Sequence, residues 1–345
     1  RRRRNVTIQS ARDEAIKKLT NSPTAALDAD VLLSHCIGCT RSFLLAHRND
    51  DVTDTQYAAF TSAVDLRKTG LPVAYITGHK EFYKLDFIVT KDVLVPKPDT
   101  EALVEKAVEH ITSLVQNKAH PAAEAAKQKT GECITEAAKQ STEERAAETS
   151  EQNAGKRTAG ELRIADICTG SGCVGIACAH ELNKCGIVCE LTLTDISLQA
   201  LEIAKQNAFQ LLTKTQFART VFAAGDLLNA LPPDARFDAI LANPPYVPSD
   251  DVSELLKDGR SEPRIALDGD FDSALGTRES SDGLAITRRL VVQAYEHLTQ
   301  GGVFFLESGE YNAKEAAHLM ESAGFTSVET HCDLAGEPRV TTGRR

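Results

Sequence analysis

The sequence predicts an α/β protein whose sheet is mostly parallel and carries helices on both faces, with a small helical bundle ahead of it. After Gly160, apolar runs of strand length alternate with stretches of helical periodicity, and this alternation is typical of a parallel sheet. The first seventy residues instead show apolar side chains at helical spacing. We therefore expect two structural units joined by a linker.

Length and charge exclude several classes of protein. The 345 residues include 39 basic and 49 acidic side chains, a net charge of −10, and 42% hydrophobic residues, which suffice for a sizeable core. No apolar run approaches the length of a membrane span, and no apolar segment of an export signal follows Arg1–Arg4. An acidic chain is poorly suited to wrapping nucleic acid. These features predict a cytoplasmic protein, acting as a monomer, without membrane or stable nucleic-acid binding.

The nine cysteines are predicted to be reduced thiols. Cys36 and Cys39 have the spacing of half a zinc site, with His35 and His47 nearby, but no second cysteine pair of this kind follows. We predict no metal site.

The N-terminal unit, residues 1–72, is predicted to consist of helices. Ser22 and Pro23 have the pattern of a helix start, and the apolar run after them stops at Gly38. A second helix is predicted to end at Gly70. Small bundles of this kind commonly orient a partner, so we expect this unit to position the substrate; the alternative is a packing appendage.

Residues 73–98 are predicted to form a hairpin linker. Short apolar runs with aromatic residues indicate strands here: Tyr75–Ile76, Phe82–Tyr83, Phe87–Val89 and Val93–Val95. A helix is then predicted from Glu101 to about Val115.

Residues 117–160 have a different composition from the rest of the domain of residues 99–345. They are rich in Ala, Glu, Lys, Gln and Thr, and Ile134 is their only large aliphatic side chain. Such a segment cannot bury enough apolar surface to offset its ordering entropy. We predict a solvated, partly helical or disordered low-complexity insertion; a partner-binding role is the alternative.

The rest of the chain alternates between strands and helices. The predicted strands are Leu162–Ile167, Ile187–Thr194, Thr220–Ala223, Phe237–Ala242, Val303–Glu307, Phe325–Thr330 and Arg339–Thr342. The last two lack an intervening helix, so one of them is predicted to run antiparallel.

A glycine-rich turn follows the first of these strands and precedes a helix. Its glycines permit positive φ and let a ligand approach the backbone, and ligands in such sheets lie beyond the carboxyl ends of the strands. No Lys of a phosphate loop follows it, and Cys168 replaces the first Gly of the dinucleotide fingerprint. The residues predicted to contact a cofactor here are Asp166, Cys168, Thr169, Gly170, Ser171 and Gly172.

Two further strand ends carry acidic residues. Asp195, at the end of the next strand, is suited to accept hydrogen bonds from both hydroxyls of a ribose. Asp226 is a candidate for the adenine amino group, or alternatively a simple helix cap, and Leu227 could pack on the adenine ring. Because a sulfonium needs no basic side chain in the turn, the pattern favours S-adenosylmethionine over NAD.

The fourth strand runs directly into Asn243, Pro244, Pro245 and Tyr246. Proline has no N–H, so this loop offers carbonyl acceptors, to which Asn243 adds its side-chain oxygen. We predict that these acceptors hold the NH₂ group of a planar substrate, with Tyr246 stacked on it, and stabilise the positive charge that develops during methyl transfer. A rigid turn after a strand is the structural alternative.

The tetrapeptide alone does not distinguish adenine N6, guanine N2 and a glutamine side chain. The loop after it, residues 249–262, has five acidic side chains against two basic ones. Negative charge at the mouth of the pocket would repel a phosphate backbone, so it favours a protein substrate.

Several segments together resemble the release-factor glutamine methyltransferases. They are Leu71–Gly78, Glu81–Tyr83, Val93–Glu101, Asp166–Cys173, Asp195–Ser197, Asn243–Pro248, Glu262–Leu267, Asp282–Leu284 and Asp333–Gly336. Outside the insertion the resemblance covers nearly the whole chain. Only the aromatic linker combined with Asn-Pro-Pro-Tyr is distinctive for this family.

The resemblance implies a seven-stranded Rossmann-like methyltransferase domain after a helical domain and a hairpin linker. It implies transfer of a methyl group from S-adenosylmethionine to the side-chain nitrogen of the glutamine in the Gly-Gly-Gln motif of peptide chain release factors. By position, Asn243 would contact both cofactor and glutamine, and Pro244 and Tyr246 would hold the glutamine. Lys97 and Asp99 stand where the family usually has Arg and Glu, and residues 270–281 form a second extra stretch.

Two other functions stay open from the sequence. A DNA or RNA amino-methyltransferase could use the same tetrapeptide, although it would need a basic groove. A non-catalytic adaptor could keep the fold to bind release factors or ribosomes, although it would need neither the glycine turn nor Asn243.

Overall fold

The computed structural model describes residues 6–129, 162–272 and 276–345. Its N-terminal part is helical, as the periodicity predicts. The helices are α1 (Ile8–Lys18), α2 (Ala25–Ile37), α3 (Arg41–Ala46), α4 (Asp54–Lys68) and α5 (Val73–Thr77).

Three of these helices have a threonine as their N-cap residue. Thr7, Thr40 and Thr53 each accept a hydrogen bond from a backbone N–H in the first turn of α1, α3 and α4. The prediction for α2 was wrong by two residues, because Ser22 donates its hydroxyl to Asp28 and the helix begins only at Ala25. Apolar side chains on these helices form one core of their own, which includes Leu32, Leu33, Leu44, Phe60 and Val64.

The linker contains one hairpin, formed by β1 (His79–Phe82) and β2 (Leu85–Ile88). Two of its four predicted strands were wrong. Tyr75–Ile76 lies in α5, which follows Pro72 and ends at Gly78 in the left-handed conformation. Val93–Val95 forms no strand, because Val93 lies in a bend and its N–H donates to the Thr90 carbonyl; the hydroxyl of Tyr75 donates to the carbonyl of Val93 at 2.6 Å.

Helix α6 (Glu101–Lys129) follows a short 3₁₀ turn and is longer than predicted. It packs Leu103, Val104, Ala107 and Ile111 against the sheet. The first part of the predicted insertion therefore continues this helix, and residues 130–160 of that prediction lie outside the described residues.

The central sheet has seven strands: β3 (Leu162–Ile167), β4 (Cys189–Asp195), β5 (Thr220–Ala224), β6 (Phe237–Ala242), β9 (Leu298–Glu307), β10 (Thr326–Cys332) and β11 (Pro338–Arg344). Their order across the sheet is β10-β11-β9-β6-β3-β4-β5. Strand β11 pairs antiparallel with both β9 and β10, whereas the other strand pairs of this sheet are parallel, which confirms the predicted final hairpin. A separate pair of two-residue strands, β7 (Phe271–Asp272) and β8 (Thr277–Arg278), lies in the second extra stretch.

Helices cover both faces of the sheet. They are α7 (Cys173–Lys184), α8 (Leu198–Leu211), α9 (Lys214–Ala218), α10 (Ser249–Leu255), α11 (Ala285–His297) and α12 (Ala313–Ser322), together with α6. Alternating strand residues face opposite cores: Ile164 and Leu241 pack on one side, and Ala165 and Ile240 on the other. In the described parts of the chain, no helix combines the length and apolarity that a membrane crossing needs.

The order of the strands determines where a ligand can bind. From β3 the chain proceeds outwards through β4 to β5, and then returns to place β6 on the other side of β3. Strand order therefore reverses between β3 and β6, and such a switch point leaves a crevice beyond the carboxyl ends of the strands.

Candidate active site at the switch point

A cleft of about 1070 Å³, including its open mouth, lies at this switch point. It brings together segments that are far apart in the sequence. Among the predicted site residues, those lining it are Asp166, Cys168, Thr169, Gly170, Ser171, Asp195, Asp226, Leu227, Asn243 and Pro245.

The buried Asp166 organises the glycine turn from inside. Its carboxylate accepts hydrogen bonds from the Thr169 hydroxyl at 2.6 Å and from the Gly175 N–H at 3.0 Å. Burial raises the pKa of Asp166 to about 7, and these two donors oppose the shift. Asp166 therefore connects the turn to the start of α7.

The turn leaves space on its ligand side. Gly170 has φ of +55°, and a Cβ added there would meet no protein atom within 4 Å. Gly172 has φ of +81°, but a Cβ there would lie 2.6 Å from Ile176 Cδ1. Gly170 is therefore open to the cleft, whereas Gly172 is needed for packing between the turn and its helices.

Two non-glycine residues lining the cleft have left-handed backbone conformations. Cys168 has φ of 60° and Leu227 has φ of 53°. Such strain concentrates at functional sites. Burial raises the pKa of the Cys168 thiol well above its ordinary value, so this thiol is protonated and is not a nucleophile.

Asp195 is held by two backbone groups at the end of β4. One carboxylate oxygen accepts from Gly170 N–H and the other from Ser197 N–H, each at 2.9 Å. Burial raises the pKa of Asp195, and these hydrogen bonds oppose the shift. Each oxygen keeps lone pairs for a further donor, which suits the predicted ribose contact.

Asp226 occupies the N-cap position of the 3₁₀ turn Leu227–Ala230, as the helix-cap alternative predicts. Its side chain makes no capping hydrogen bond there and forms an ion pair with Arg289 instead. The adenine contact predicted for Asp226 stays a prediction.

The side chain of Asn243 has a defined orientation at the carboxyl end of β6. Its Nδ2 donates to the hydroxyl of Thr100 at 3.2 Å. Its Oδ1 makes no hydrogen bond to any described residue, so this oxygen is available as an acceptor in the cleft. The substrate contact predicted for Asn243 stays a prediction.

The two prolines and the tyrosine of the tetrapeptide occupy different environments. Pro245 lines the cleft, whereas Pro244 is buried. Tyr246 lines a second cavity instead, and its hydroxyl lies 3.4 Å from Glu307 Oε1. Burial raises the pKa of Tyr246, so its hydroxyl stays protonated.

Thr100 and Glu307 belong to the site, although neither was among the predicted site residues. The Thr100 hydroxyl donates to Glu307 Oε1 at 3.1 Å. Burial raises the pKa of Glu307 to about 7. A signal was available: Glu307 is a carboxylate directly after the apolar run Val303–Leu306, at a carboxyl end next to β6.

The described cysteines belong to no group of side chains that could hold a metal ion. Cys36 and Cys39 are free, and burial raises the pKa of both thiols. Within the described ranges, no group of three or more His, Cys, Asp or Glu side chains could hold a metal ion.

Comparison with known proteins connects this geometry to a family. A family model described as PrmC N-terminal domain matches residues 10–78, and one described as methyltransferase small domain matches residues 152–259. The release factor glutamine methyltransferase of Koribacter versatilis is 31% identical over 99% of both chains. This chain belongs to the release factor glutamine methyltransferase family. The family members from Bordetella pertussis and Moorella thermoacetica are each 32% identical, over 92% and 97% of this chain and 94% and 97% of their own.

Solved methyltransferase structures overlap with part of this family member. A methyltransferase from Pyrococcus furiosus matches 54% of this chain and 75% of its own, with a TM-score of 0.36 and 16% identity. TrmN from Thermus thermophilus matches 53% of this chain and 44% of its own, with a TM-score of 0.33 and 17% identity.

The second cavity of this methyltransferase lies on the Tyr246 side, and its charged lining residues are mostly acidic. Asp251, Glu254 and Glu310 line it, together with Arg339 and Tyr311. The hydroxyl of Tyr311 and the side chain of Asn312 both donate to the Tyr246 carbonyl, at 3.2 and 3.1 Å. These contacts hold the backbone of Tyr246 where its residue lines the second cavity.

Proposed function

We propose that this chain transfers a methyl group from S-adenosylmethionine to the side-chain amide nitrogen of the glutamine in the Gly-Gly-Gln motif of peptide chain release factors. The observation that carries the proposal is the available Oδ1 of Asn243, held at the switch point beside a proline pair. Full-length relatives with this activity in their names support the substrate class.

The residues of the cleft fit the cofactor. Gly170 leaves open space, and each carboxylate oxygen of Asp195 accepts one backbone hydrogen bond and keeps a lone pair for a further donor such as a ribose hydroxyl. When bound, S-adenosylmethionine supplies an electrophilic methyl group on a sulfonium. Cys168 to Gly172, Asp195, Asp226, Leu227 and Asn243 are the residues proposed to hold it.

The acceptor residues act on the substrate nitrogen. In an amide the nitrogen lone pair is delocalised, so the nitrogen is a poor nucleophile, and positive charge develops on it as the new C–N bond forms. The oxygen of Asn243 and the Pro244 carbonyl are proposed to accept hydrogen bonds from the two N–H groups of the substrate nitrogen. Tyr246 is proposed to stack on the flat amide. Acceptors that bind the developing charge more strongly than the neutral amide lower the barrier.

The charge of the second cavity favours a protein over a nucleic acid. Three carboxylates face one guanidinium there, and a phosphate backbone would be repelled. We accordingly propose no stable nucleic-acid binding, a monomeric enzyme and a cytoplasmic location, where release factors act. A helical substrate-positioning unit of residues 1–72 and a hairpin linker of residues 73–98 complete the proposal.

Competing acceptors in one reaction test it. The protein is incubated with labelled S-adenosylmethionine, a release factor, duplex DNA and ribosomal RNA. Label is expected on the release factor and not on a matched release factor in which the glutamine of Gly-Gly-Gln is replaced by alanine. Label on DNA or RNA alone would support an amino-methyltransferase of nucleic acid, and no label on any acceptor would support the adaptor.

A further inference from the structure

We propose that Glu307, acting through Thr100, fixes the orientation of the Asn243 side-chain amide so that its oxygen, and not its NH₂ group, faces the substrate. This is a positioning role, and it rests on the proposed function. It assigns a task to two residues that do not themselves need to touch the substrate nitrogen.

The directions of the hydrogen bonds carry the inference. An ionised carboxylate can only accept, so the Thr100 proton must point to Glu307 Oε1. The Thr100 oxygen then has only lone pairs to offer Asn243, and its partner at 3.2 Å must be the NH₂ group. The amide oxygen is consequently left for the cleft.

The environment of Glu307 suggests that it is kept for this purpose and not for stability. The side chain is 2% exposed. Oε1 accepts from both Thr100 and Tyr246, while Oε2 is buried and has no hydrogen-bond partner among the residues that the structure describes. Buried carboxylates with an unsatisfied oxygen destabilise a fold, and they call for a functional explanation.

Protonation of Glu307 would remove this constraint. Burial raises its pKa to about 7; the Asp99 carboxylate favours the neutral form, whereas Thr100, Tyr246 and Arg339 favour the charged form. Cys173 also lies within electrostatic range of Glu307. A neutral carboxyl can donate to Thr100, whose hydroxyl could then donate to a flipped Asn243. The NH₂ group of Asn243 would then face the NH₂ group of the substrate, donor against donor.

Removal of the Thr100 hydroxyl tests the hydrogen-bond relay from Glu307 through Thr100 to Asn243 while leaving the Glu307 side chain in place. For Thr100→Val we expect kcat on a release factor to fall roughly 10- to 100-fold, the effect of one lost buried hydrogen bond. The dissociation constant for S-adenosylmethionine should stay within about threefold. Thr100→Ser restores the hydroxyl and should recover most of the lost kcat.

A matched substitution nearby in the chain controls for packing. Thr100 lies in the 3₁₀ turn Pro98–Thr100 that precedes α6, and Thr112 lies on α6 itself, where its buried hydroxyl has no hydrogen-bond partner among the described residues. Thr112→Val should therefore leave kcat unchanged. Equal kcat in Thr100→Val, Thr112→Val and the wild type would overturn the proposal, as would a loss of kcat that Thr100→Ser does not recover.

A second readout does not depend on activity. In protein carrying ¹³C-labelled glutamate carboxyls, the resonance lost in Glu307→Gln identifies Glu307 in an NMR titration. Because the Thr100 hydroxyl stabilises the carboxylate, Thr100→Val should raise the pKa of Glu307. An unchanged pKa would overturn the relay. The two proposals can fail separately. If Thr100→Val raises the pKa of Glu307 but the wild type methylates no release factor, the proposed function is refuted, whereas the hydrogen bond between Thr100 and Glu307 is confirmed.

Discussion

Asn243 is the residue on which the proposed chemistry depends most directly. One N–H of its Nδ2 donates to Thr100, and its Oδ1 makes no hydrogen bond to any described residue, so this oxygen is available to a substrate. Replacement by alanine removes this acceptor and leaves the glycine turn and Asp195 in place.

For Asn243→Ala we expect kcat to fall roughly 100- to 1000-fold, as when one group that stabilises transition-state charge is lost. Cofactor affinity should change much less, because most of the proposed cofactor contacts lie on other residues. Steady-state kinetics with a release factor and calorimetric titration with S-adenosylmethionine measure the two effects. Near-normal turnover would show that the acceptor argument is wrong.

Asp195 should show the opposite pattern. In Asp195→Asn one oxygen becomes an NH₂ group, which cannot accept from a ribose hydroxyl and faces a backbone N–H. We expect S-adenosylmethionine affinity to fall about 10- to 100-fold, with a smaller change in kcat at saturating cofactor. Calorimetric titration checks this, and an unchanged affinity would remove Asp195 from the proposed cofactor site.

The glycine turn between β3 and α7 combines a strained conformation with close packing. Gly172 and Gly186 flank α7 with similar positive φ, +81° and +74°. They differ in surroundings: a Cβ on Gly172 would lie 2.6 Å from Ile176 Cδ1 and 3.2 Å from Ala204 Cβ, whereas one on Gly186 would meet nothing within 4 Å.

Alanine substitutions at Gly172 and Gly186 distinguish the cost of backbone strain from the cost of overpacking. Gly186→Ala should lower the free energy of unfolding by about 1 kcal/mol, the cost of a left-handed alanine. Gly172→Ala should lower it by roughly 1–3 kcal/mol more, because the side chain overpacks the turn. Denaturant unfolding measures both values. Equal losses would show that the turn has room for a Cβ at position 172.

Regular elements were largely predictable from the sequence, and irregular ones were not. The bounds of β3 and β6 match their apolar runs, because each strand is buried on both faces and has polar or turn residues at its ends. Tyr75 and Ile76 were assigned wrongly because two apolar residues in a row suit a strand or a short helix equally. The neighbouring Pro72 and Gly78, which limit α5, were the better signal.

The candidate site was predictable where a motif carries its own chemistry. The glycine turn, Asp195 and Asn243 follow strands and meet at one edge of the sheet. Thr100 and Glu307 were missed because their role arises from pairing across 207 positions of the chain. Local sequence shows neither the relay through Thr100 nor the second cavity beside Tyr246.

At the scale of the whole molecule, buried titratable groups make stability depend on pH. The pKa of Glu307 is raised to about 7 from an ordinary value of 4.5. Between these values the folded chain holds a proton that the unfolded chain has released, so this contribution to stability is present at low pH and is lost as pH rises through 7. Three histidines have the opposite effect, because their lowered pKa values make their contribution to stability fall as pH falls. They are His110, His297 and His331.

The three histidines contribute alike to the wild type and to Glu307→Gln. The difference in unfolding free energy between the two proteins therefore isolates the contribution of Glu307. As pH rises from about 5 to about 8, the wild type should lose roughly 1–3 kcal/mol of unfolding free energy relative to the variant. Denaturant unfolding of both proteins across this range provides the difference. A constant difference would mean that Glu307 titrates alike in the folded and unfolded chains.

The proposed acceptor Asn243 and the cofactor cleft lie at one switch point in the sheet, and the second cavity lies on the Tyr246 side. Tandem mass spectrometry of a release factor incubated with this protein and S-adenosylmethionine tests that account most directly. We expect one added methyl group on the side-chain nitrogen of the glutamine in Gly-Gly-Gln, absent when Asn243→Ala replaces the wild type. A methyl group on any other release-factor residue, or an unmodified release factor beside methylated nucleic acid, would contradict it.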